Sequence, residues 1–550
     1  MPVIWSTQDR TAAFLLGILS HITIFIQGEW HMFGSLLIQF YVTLTSALLI
    51  AAYYHFGDFS TAFRAVGAIC SSYAAGLFIS IIVYRKFFHR LRHFPGPPFA
   101  AVTKFWHVLK CREGRNHLIL QELVEKYGSI IRTGPEELTI IDPAAISLID
   151  GPNSQCTKAA WYDIFLPQVS INSTRNVEEH GLRRRVWDRG FSPAALSIYD
   201  IYIIEHAHLL AARIECLVLE HSNRVDGLDE AVVNVTEWCF WFSFDVMGEF
   251  AFARSFGMLR DSKWHAKIRQ LVDAMAMLGP VSPVPWLAQI VLGLKPRLPS
   301  VNTWLSMLKW SAGCMDERLR AEIDRPDVSH WLIEAFKKGL PASDRRWLDG
   351  DAFSMVVAGS DTGAITLTFA LYELARSPVQ QDILFAQLRD IDTHDKVQLQ
   401  ACAHLNAILQ ETLRLHPPVP TGGYRVTPRA GLLLNGTYIP GHVTIVAPKY
   451  NIGRLESSYV RPTEFIPERW TTQPELLIDK RGFSPFGQGK FGCVGKALAM
   501  TELRLVIALL VQKFEIGFPR GDKGESLFNG LRDHFTFSLG DLHLKFAIRT

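Results

Sequence analysis

A cysteine in a glycine-rich loop is the residue of this chain best suited to bind a metal. The segment Phe486-Gly487-Gln488-Gly489-Lys490-Phe491-Gly492-Cys493-Val494-Gly495-Lys496 precedes residues 497–504, which have the pattern of a helix. A thiolate ligand needs a fixed sulfur, surrounding backbone N–H groups and a nearby helix N-terminus, because these stabilise its negative charge. Glycines let the backbone fold tightly beneath a flat ring, since they have no Cβ and tolerate positive φ. We therefore predict that Cys493 gives its thiolate to a haem iron.

Two other interpretations of this loop are open on the sequence. Gly487, Gly489 and Gly492 match the GxGxxG fingerprint of dinucleotide-binding proteins, and Glu515 follows near the place expected for its acidic residue. Against this, Pro485 lies just before the motif, and proline is a poor end for the central strand that such a motif follows. The second alternative is an ordinary buried free cysteine.

Small and polar residues interrupt an apolar helical pattern at residues 352–376. The interruption is Ala358-Gly359-Ser360-Asp361-Thr362-Gly363, and each glycine costs a helix interior about 1 kcal/mol relative to alanine. Small residues would let a flat ring and O2 approach the helix, and Asp361 and Thr362 would then deliver protons to bound oxygen. The alternative is a glycine-kinked core helix in which Asp361 and Thr362 only satisfy each other.

Charged residues in the last third of the chain predict a structural lock. Glu411 and Arg414 lie on one face of a predicted helix that Pro417 and Pro418 end, and Arg469 follows downstream. We expect these three charges to form a buried cluster that fixes the cysteine loop. Its net gain in stability is small, because desolvation offsets much of the Coulomb attraction.

His180 and Arg184 lie four residues apart in the sequence, on one face of a predicted helix. Two donors so placed suit a carboxylate, such as a haem propionate. On this segment alone a solvated basic face is the simpler interpretation.

Taken together, these segments resemble the cytochrome P450 family, of the fungal microsomal type. The resemblance extends from about His93 to the C-terminus: residues 358–362 look like the oxygen-side helix, Glu411, Arg414 and Arg469 look like the Glu-Arg-Arg lock, and the loop before Cys493 looks like the haem signature. It is closest to secondary-metabolism members of the tryprostatin-B hydroxylase-like and benzoate-hydroxylase-like kinds. The fold implied is mainly α with small β-sheets, preceded by N-terminal transmembrane helices.

The resemblance implies a monooxygenase reaction. One atom of O2 enters a bound substrate as a hydroxyl group and the other leaves as water, with haem b as the cofactor and Asp361 and Thr362 relaying protons. The chain has no convincing nicotinamide site, so electrons are expected from a separate NADPH–cytochrome P450 reductase. The resemblance also allows cytochrome b5 as an additional partner.

Cofactor contacts follow from the same resemblance, with one departure. The residues that match the family's haem contacts are Phe486, His180, Arg184, Arg425 and Lys490. Where the family usually has an arginine, two residues before the cysteine, this chain has Phe491. The contacts that bind the haem propionates are therefore expected to differ from those usual in the family, while Cys493 is still expected to be the thiolate ligand.

Substrate contacts are expected from four regions of the chain. By analogy the candidates are Trp161, Tyr162, Phe165, Val357, Ala364, Gly422, Gly423, Phe535 and Thr536. Their aromatic character predicts an apolar, drug-sized substrate such as a terpenoid, an alkaloid or a polyketide.

The elements that position these residues begin with a membrane anchor at residues 1–84. Apolar runs at residues 11–27, 32–54 and 65–84 are each about long enough to cross a bilayer as a helix. The first run is short and carries His21, so two crossings plus an interfacial helix is the alternative to three. Residues 85–98 form a basic, proline-rich hinge, and residues 99–550 form the catalytic domain.

The basic residues of the hinge predict the orientation of the chain. Arg85, Lys86, Arg90 and Arg92 place the catalytic domain in the cytosol, on the endoplasmic reticulum membrane. The sequons at Asn172, Asn234 and Asn435 are then expected to stay unglycosylated. The net charge of +3 over 550 residues suggests no nucleic-acid partner, and the eight scattered cysteines form no CxxC pair.

Within the domain, strand pairs are predicted at residues 127–141 and around the Asn435-Gly436 turn, using residues 432–441 and 443–446.

Two rival functions remain on the sequence. A thiolate-haem isomerase or dehydratase would act without O2 or a reductase, but such relatives typically lose the helix alcohol that Thr362 supplies. A membrane transporter or receptor with a regulatory cytosolic domain is the rival from another class, and the lack of later apolar spans argues against it.

Overall fold

The fold was analysed in a computed structural model, which describes residues 7–222, 231–276, 279, 282–294, 299–321, 323 and 327–549. It is mainly helical with small sheets. In chain order the described α-helices are α1 (Thr7–Ser20), α2 (Gly34–Phe56), α3 (Phe59–Val83), α4 (Phe105–Cys111), α5 (Asn116–Tyr127), α6 (Pro143–Asp150), α7 (Val177–Gly190), α8 (Pro193–Ser222), α9 (Val235–Phe252), α10 (Met258–Asp261), α11 (Ala266–Met275), α12 (Pro285–Leu294), α13 (Pro299–Arg320), α14 (Val328–Lys337), α15 (Arg345–Arg376), α16 (Pro378–Leu388), α17 (Lys396–Ala401), α18 (Ala403–Leu415), α19 (Lys449–Ile452), α20 (Lys496–Lys513) and α21 (Glu525–Asn529).

Short strands form four small sheets in the described parts of the chain. The strands are β1 (Ile130–Gly134), β2 (Glu137–Ile140), β3 (Thr157–Lys158), β4 (Val232–Asn234), β5 (Arg425–Val426), β6 (Leu432–Leu434), β7 (Thr437–Ile439), β8 (Thr444–Val446), β9 (Phe514–Gly517), β10 (Arg532–His534), β11 (Thr536–Ser538) and β12 (His543–Ile548). The largest sheet has the order β1-β2-β8-β5-β3, in which only β2 and β8 are parallel. The others are β4-β12-β9, β10-β11 and β6-β7.

Both predicted strand pairs form, with one change. β1 pairs with β2, and β6 pairs with β7 across Asn435 and Gly436, whose φ angles of 46° and 81° suit a tight hairpin. Residues 444–446 do not join that hairpin. They form β8, which pairs with β2 and β5 because its residues are mostly buried and complete the larger sheet.

The long helix α15 passes through the centre of the domain. Asp344 caps its N-terminus by accepting the backbone N–H of Arg346, and nearly every residue from Trp347 to Ala375 is buried. The helix packs along α9 and against α20, the helix that follows Cys493. The small polar residues at 358–363 do not break it, because the Thr362 hydroxyl bonds the Ala358 carbonyl at 2.8 Å within a continuous helix.

The N-terminal helices stand apart from this core. Two described helical segments are long and apolar enough to cross a membrane there, His31–Phe56 and Phe59–Phe88. A third segment of that kind, Arg345–Arg376, is 78% buried inside the protein and belongs to the domain core. The first predicted run forms α1, continued by His21–Phe25, and is not among these candidates.

α1 nevertheless packs closely along α3, and the two helices run in the same direction. A Cβ on Gly17 would lie 2.2 Å from the Tyr73 carbonyl oxygen, and one on Gly76 would lie 2.0 Å from the Phe14 carbonyl oxygen. Further along, His21 Nδ1 lies 2.8 Å from Ser80 Oγ. Only glycine permits this backbone contact, so α1, α2 and α3 form one bundle.

The hinge binds the anchor to the catalytic domain. Arg85 donates to the Val102 carbonyl at 2.7 Å, and Arg132 of β1 donates back to the Arg85 carbonyl at 3.1 Å. Arg90 donates to the His442 carbonyl at 2.8 Å. We call this set of contacts the hinge junction.

Candidate functional site

The loop before Cys493 has the tight geometry that its glycines predict. Gly487 and Gly489 have φ of +67° and +58°, and a Cβ on Gly489 would lie 2.6 Å from the Asp150 carbonyl oxygen. The Cys493 N–H donates to the Phe486 carbonyl at 2.8 Å, which closes the loop. The helix α20 begins at Lys496, so the thiol lies just before a helix N-terminus.

The surroundings of the Cys493 thiol favour binding to a cation. Burial raises the pKa of this thiol, while a hydrogen bond from the Gly495 backbone and the charges of Lys449, Arg184 and Lys496 oppose the rise. The Cys493 side chain keeps some accessible surface, yet enough protein surrounds the thiol to desolvate it. A buried thiol with donors and cations around it becomes a thiolate when a metal ion supplies the missing positive charge.

The loop does not have the context of a dinucleotide-binding motif. Residues 483–488, all described, contain no strand, and Gly489–Phe491 is a short 3-10 turn. Glu515 lies in β9, an edge strand of the β4-β12-β9 sheet. The strand that must precede a GxGxxG loop is therefore absent from these residues, which excludes the dinucleotide-binding arrangement.

Phe491 lies at the centre of the predicted cofactor contacts. The His180 ring meets it edge to face at 4.9 Å, and Arg425 and Lys490 lie over it at 4.8 Å and 5.1 Å from the ring centre. Arg184 donates to the Gly492 carbonyl at 2.7 Å beside it. His180, Arg184, Arg425, Lys490 and Phe486 are thus brought together around one loop.

Lys158, which no sequence motif singles out, joins this group. Lys158 is only 4% exposed, and its ammonium lies 5.1 Å from the centre of the Phe491 ring. It donates to the carbonyls of Ile171 and Asn172 at 2.7 Å each. Burial, followed by the charge of Arg425, lowers the pKa of Lys158. The only hint in the sequence is a lysine at the head of the apolar stretch 159–162.

Positive charge exceeds negative charge at this edge of the site. Arg425 is paired with Asp150 at 2.7 Å, and Arg184 with Asp188 at 2.7 Å. Lys158, Lys449 and Lys490 have no carboxylate within ion-pair distance among the described residues. Buried cations without counter-ions cost free energy, so this edge is suited to a ligand that carries carboxylates.

The predicted proton relay lies on α15. Within residues 347–375, all described, Ala358 is the one exposed residue, and Thr362 lies one turn further along the same face. Asp361 is 8% exposed; burial raises its pKa to about 7, and a hydrogen bond with the Thr536 side chain limits the rise. Asp361 is therefore able to hold or release a proton near neutral pH.

A second buried acid lies beside this helix. Glu502 of α20 is 4% exposed, its Oε1 atom has no hydrogen-bond partner, and burial raises its pKa to about 8. Its Oε2 atom lies 3.6 Å from the position of a Cβ on Gly363, and Ser243 Oγ, also unpartnered, lies 3.2 Å from that position. Gly363 thus leaves room for polar groups beside α15. The only signal for Glu502 in the sequence is an acidic residue within an apolar helical pattern.

Three aromatic residues among the predicted substrate contacts, Trp161, Phe165 and Phe535, pack together. Trp161 stacks on Tyr424 and on Phe535, with ring centres 5.0 Å and 4.8 Å apart, and donates to Ser282 at 2.8 Å. Phe165 meets the edge of Trp161 at 5.7 Å. Phe535 has a φ of +83°, which is strained for a side-chain-bearing residue and turns its ring toward Trp161.

The other candidate substrate residues are placed differently. Val357 and Ala364 lie in the main hydrophobic core, and Ala364 is fully buried. Tyr162 accepts a hydrogen bond from Arg425 at 3.1 Å and so joins the cationic edge. A Cβ on Gly423 would lie 2.4 Å from the Arg425 guanidinium, and Gly422 has a φ of +85°. These two glycines are needed where the chain turns into β5.

The Glu-Arg-Arg lock is assembled. Arg414 bonds both oxygens of Glu411 at 2.8 Å and 2.7 Å, and Arg469 bonds one of them at 2.9 Å. The Trp470 indole and the Ile466 backbone add donors at 2.9 Å each. Burial disfavours ionisation of Glu411, but the two arginines outweigh it and hold the pKa of Glu411 below its usual range.

A flat, anionic, iron-bearing macrocycle fits this set of residues. Cys493 offers a sulfur ligand for the iron, Ala358 offers a small exposed surface on a buried helix, and the unpaired lysines suit two carboxylate groups. Phe491 is compatible with that fit, because the cations around its ring replace the charge that an arginine would bring.

Comparison with known proteins assigns the domain. The family model described as Cytochrome P450 matches residues 95–538. Tryprostatin B 6-hydroxylase of Neosartorya fischeri is 36% identical over 553 residues, which cover 98% of this chain and 98% of that protein. Cytochrome P450 monooxygenase notG' of Aspergillus versicolor is 35% identical over 533 residues, which cover 96% and 95%.

A solved structure shares the fold. It is described as the crystal structure of cytochrome P450DA heme domain, and it superposes with a TM-score of 0.66 over 83% of this chain and 97% of that chain. The sequences are 18% identical, so this likeness concerns the fold alone.

Proposed function

Because this chain belongs to the cytochrome P450 family and is an oxidoreductase of the monooxygenase kind, we propose that it hydroxylates an apolar secondary metabolite. One atom of O2 enters a C–H bond of the substrate, and the other leaves as water. The observation that carries the proposal is Cys493, which is held in a glycine loop just before the N-terminus of α20, the helix that packs against α15.

The haem that the family implies would be held from several sides. Cys493 would give its thiolate to the iron, and the group would supply O2 binding and activation. His180, Arg184, Arg425, Lys490 and Lys158 would face its carboxylates. Phe486 closes the loop through the bond to the Cys493 N–H.

Side chains on α15 and α20 would donate and transfer the protons that the reaction consumes. Asp361, with a pKa of about 7, can release a proton toward Thr362 and accept another from solvent. The Thr362 hydroxyl now donates to the Ala358 carbonyl at 2.8 Å, and must rotate from that bond to donate elsewhere. Glu502, protonated at neutral pH with its pKa of about 8, is a second store of protons beside the same helix.

The aromatic group formed by Trp161, Tyr424 and Phe535 supports an apolar substrate with a flat portion. Stacked rings offer large apolar faces and few charges, so a planar ring of a terpenoid, alkaloid or polyketide would be favoured. Thr536, next to Phe535 in the chain, and Asp361, which is hydrogen-bonded to the Thr536 side chain, are polar groups that could orient a substrate hydroxyl or amine.

The anchor supports a place on the endoplasmic reticulum membrane with the domain in the cytosol. Basic residues of the hinge directly follow α3, in agreement with the positive-inside rule. Electrons would come from NADPH through a membrane-bound cytochrome P450 reductase, with cytochrome b5 as a further donor.

The first test is a spectrum of the full-length protein, reduced and exposed to carbon monoxide. We expect the band of thiolate-ligated haem, its loss in the Cys493→Ser variant, and no change in Cys216→Ser, which alters an exposed cysteine elsewhere. A band that survives Cys493→Ser would refute the ligand assignment.

The second test follows the oxygen. Microsomes given candidate metabolites, NADPH and isotope-labelled O2 should yield products that carry one labelled atom. Unlabelled products formed without NADPH would instead indicate an isomerase or dehydratase. The presence of Thr362 argues against that alternative, because thiolate-haem isomerases and dehydratases typically lack this alcohol.

A further inference from the structure

The segment that joins α1 to α2 makes a second contact with the catalytic domain. We call residues 27–33 the connector. Glu29 of the connector forms a two-pronged ion pair with Arg175, with N–O distances of 2.6 Å and 2.7 Å. Arg175 also bonds Asp163 at 2.6 Å, and His31 Nε2 lies 2.7 Å from the same Asp163 oxygen. These four side chains link the connector to the turn that contains Asp163 and to the segment that contains Arg175.

Asp163 belongs to the turn that carries the aromatic substrate candidates. The 3-10 turn Ala160–Phe165 contains Trp161 and Tyr162, and the Asp163 side chain is 12% exposed. Its backbone carbonyl accepts a hydrogen bond from Gln289 of α12. The turn is therefore held from one side by the connector and from another by α12.

Helix α12 in turn packs on the first residues of the anchor hairpin. A Cβ on Gly34 would lie 2.5 Å from the Ile290 side chain, and one on Gly293 would lie 2.8 Å from Ser35 Oγ. Trp286 at its start meets Phe105 edge to face at 5.4 Å. Connector, α12 and turn thus form one closed set of contacts.

The cluster has the spacing of a metal site, but its charges are already matched. One nitrogen of His31 and carboxylate oxygens of Glu29 and Asp163 lie within 4.8 Å of one another. The Arg175 guanidinium bonds both carboxylates. A metal ion would have to displace a cation that is already bound, so we assign the cluster a mechanical role.

Two attachments restrain the anchor more than one does. The hinge junction fixes the end of α3, and the connector fixes the start of α2. A single tether leaves the domain free to rotate against the bilayer, whereas a second, separate contact removes that rotation. Single ion pairs that are this exposed contribute little to stability. A two-pronged arginine–carboxylate pair within a network is the arrangement in which the contribution becomes significant.

We propose that Glu29, Arg175 and Asp163 form a clamp by which the membrane anchor positions the turn Ala160–Phe165 of the catalytic domain. Arg175, Glu29 and Asp163 are positioning residues, since they act through Trp161 and Tyr162. The inference goes beyond the proposed reaction: it makes the anchor a part of the substrate side of the domain rather than a tether alone.

The test uses the full-length, haem-loaded protein in phosphatidylcholine nanodiscs and measures amide hydrogen exchange in Ala160–Phe165. We expect exchange there to rise about threefold in Glu29→Gln and about tenfold in Arg175→Gln, because Arg175 also serves Asp163. Arg175→Lys keeps the charge but not the two-pronged geometry, so its effect should be intermediate. Glu334→Gln, which removes an ion pair with Lys338 elsewhere, should change nothing in this turn.

A second readout links the clamp to binding. The spectral Kd of 1-phenylimidazole should rise at least threefold in Arg175→Gln while the carbon monoxide band is unchanged. Unaltered exchange in the turn for both Glu29→Gln and Arg175→Gln, or an equal rise in Glu334→Gln, would overturn the proposal. Amide exchange in the turn and the carbon monoxide band are measured separately, so a failure of the proposed monooxygenase function would be seen as a missing band whatever the exchange rates are.

Discussion

Phe491 shows how a single side chain can change a cofactor site without abolishing it. The ring has three cationic groups and a histidine around it, and burial with neighbouring charges lowers the pKa of His180 to about 3. A neutral His180 can donate a hydrogen bond without adding charge. The positive charge that an arginine at position 491 would bring is supplied instead by residues that contact the ring faces.

The substitution Lys158→Met tests this arrangement. We expect haem transfer to excess apomyoglobin to be about tenfold faster, because one charge-assisted hydrogen bond of about 1.5 kcal/mol is lost. The unfolding midpoint of the haem-free chain should change little, since removing a buried ammonium without a counter-ion offsets the loss of its two hydrogen bonds to backbone carbonyls. Lys338→Met is the surface control, and equal rates in both variants would contradict the role of Lys158.

Asp361→Asn tests the proton relay. Wild-type product formation should decline as pH rises through about 7, because Asp361 loses the proton that it donates. The variant should be slower by about 100-fold and should lack this decline. Rates would be measured from pH 6 to 8.5 with a substrate found by the oxygen-labelling screen. Asp349→Asn, on the same helix but bonded to Arg345 near the surface, should keep the wild-type profile.

Glu502→Gln tests the buried acid through stability. Between its usual pKa and about 8 the folded chain holds a proton that the unfolded chain releases, so the free energy of unfolding falls as pH rises through this window. Glutamine removes that dependence. Between pH 5 and pH 8 the free energy of unfolding of the variant, relative to that of the wild type, should therefore rise by up to about 4 kcal/mol.

Chemical unfolding in detergent at several pH values would check this difference. Glu515→Gln alters a carboxylate whose side chain is 69% exposed and should show no such trend. Parallel pH curves for Glu502→Gln and the wild type would mean that Glu502 is already ionised when folded.

The sequence predicted side chains whose types are diagnostic, and it missed those whose role depends on burial. Cys493, Asp361 and Glu411 stand in motifs with characteristic neighbours. Lys158 and Glu502 are common residues, and only the fold shows that both are buried and that Glu502 lacks a hydrogen-bond partner.

At the scale of elements, packing keeps α15 helical, whereas hydrogen bonds to a buried carboxylate hold the segment 466–470 in place. α15 stays helical through residues 358–363 because its other faces are packed along α9 and α20, which outweighs the local cost of two glycines. The Glu411 carboxylate accepts five hydrogen bonds, and the three from Ile466, Arg469 and Trp470 hold residues 466–470 against α18.

Glu411→Gln should weaken this part of the fold strongly. Two buried guanidinium groups would lose their counter-ion, at a cost of about 3–5 kcal/mol in the free energy of unfolding. Glu317→Gln, which removes an exposed pair with Arg254, should cost less than about 0.5 kcal/mol. Guanidinium unfolding monitored by tryptophan fluorescence would compare them, and similar midpoints for the two variants would contradict a buried lock.

Strand pairing was predictable only where the turn is local. Asn435 and Gly436 specify their hairpin, so β6 and β7 could be expected from neighbouring residues. The pairing of β8 with β2 joins residues 444–446 to residues 137–139. No local pattern specifies such a distant partner, because it depends on the packing of the whole domain.

At the scale of the whole molecule, the direction of the three N-terminal helices fixes a topology. α1 and α3 both run toward the catalytic domain, and α2 runs away from it, since the connector and the hinge junction both touch the domain. The first residues of α1 and the Gly57-Asp58 turn then lie on the far side. This arrangement favours three crossings, although α1 is less apolar than the other two helices.

Glycosylation reporters would test the topology. A sequon in a Gly/Ser-rich insertion should be modified at the N-terminus and at the Gly57-Asp58 turn, but not in the connector. The native sequons at Asn172, Asn234 and Asn435 should stay unmodified and serve as internal controls. Modification at the turn without modification at the N-terminus would instead place α1 at the interface and leave two crossings.

The two points at which the anchor meets the domain also bear on the kinetics of encounter. Two free proteins must find each other in three dimensions and then reach one narrow range of mutual tilt, which is why specific association is far slower than diffusion allows. A domain held at two places on its anchor has its tilt fixed when it folds. Its search for another protein in the same bilayer reduces to lateral diffusion and rotation about the membrane normal, so electron delivery would depend on surface density rather than on bulk concentration.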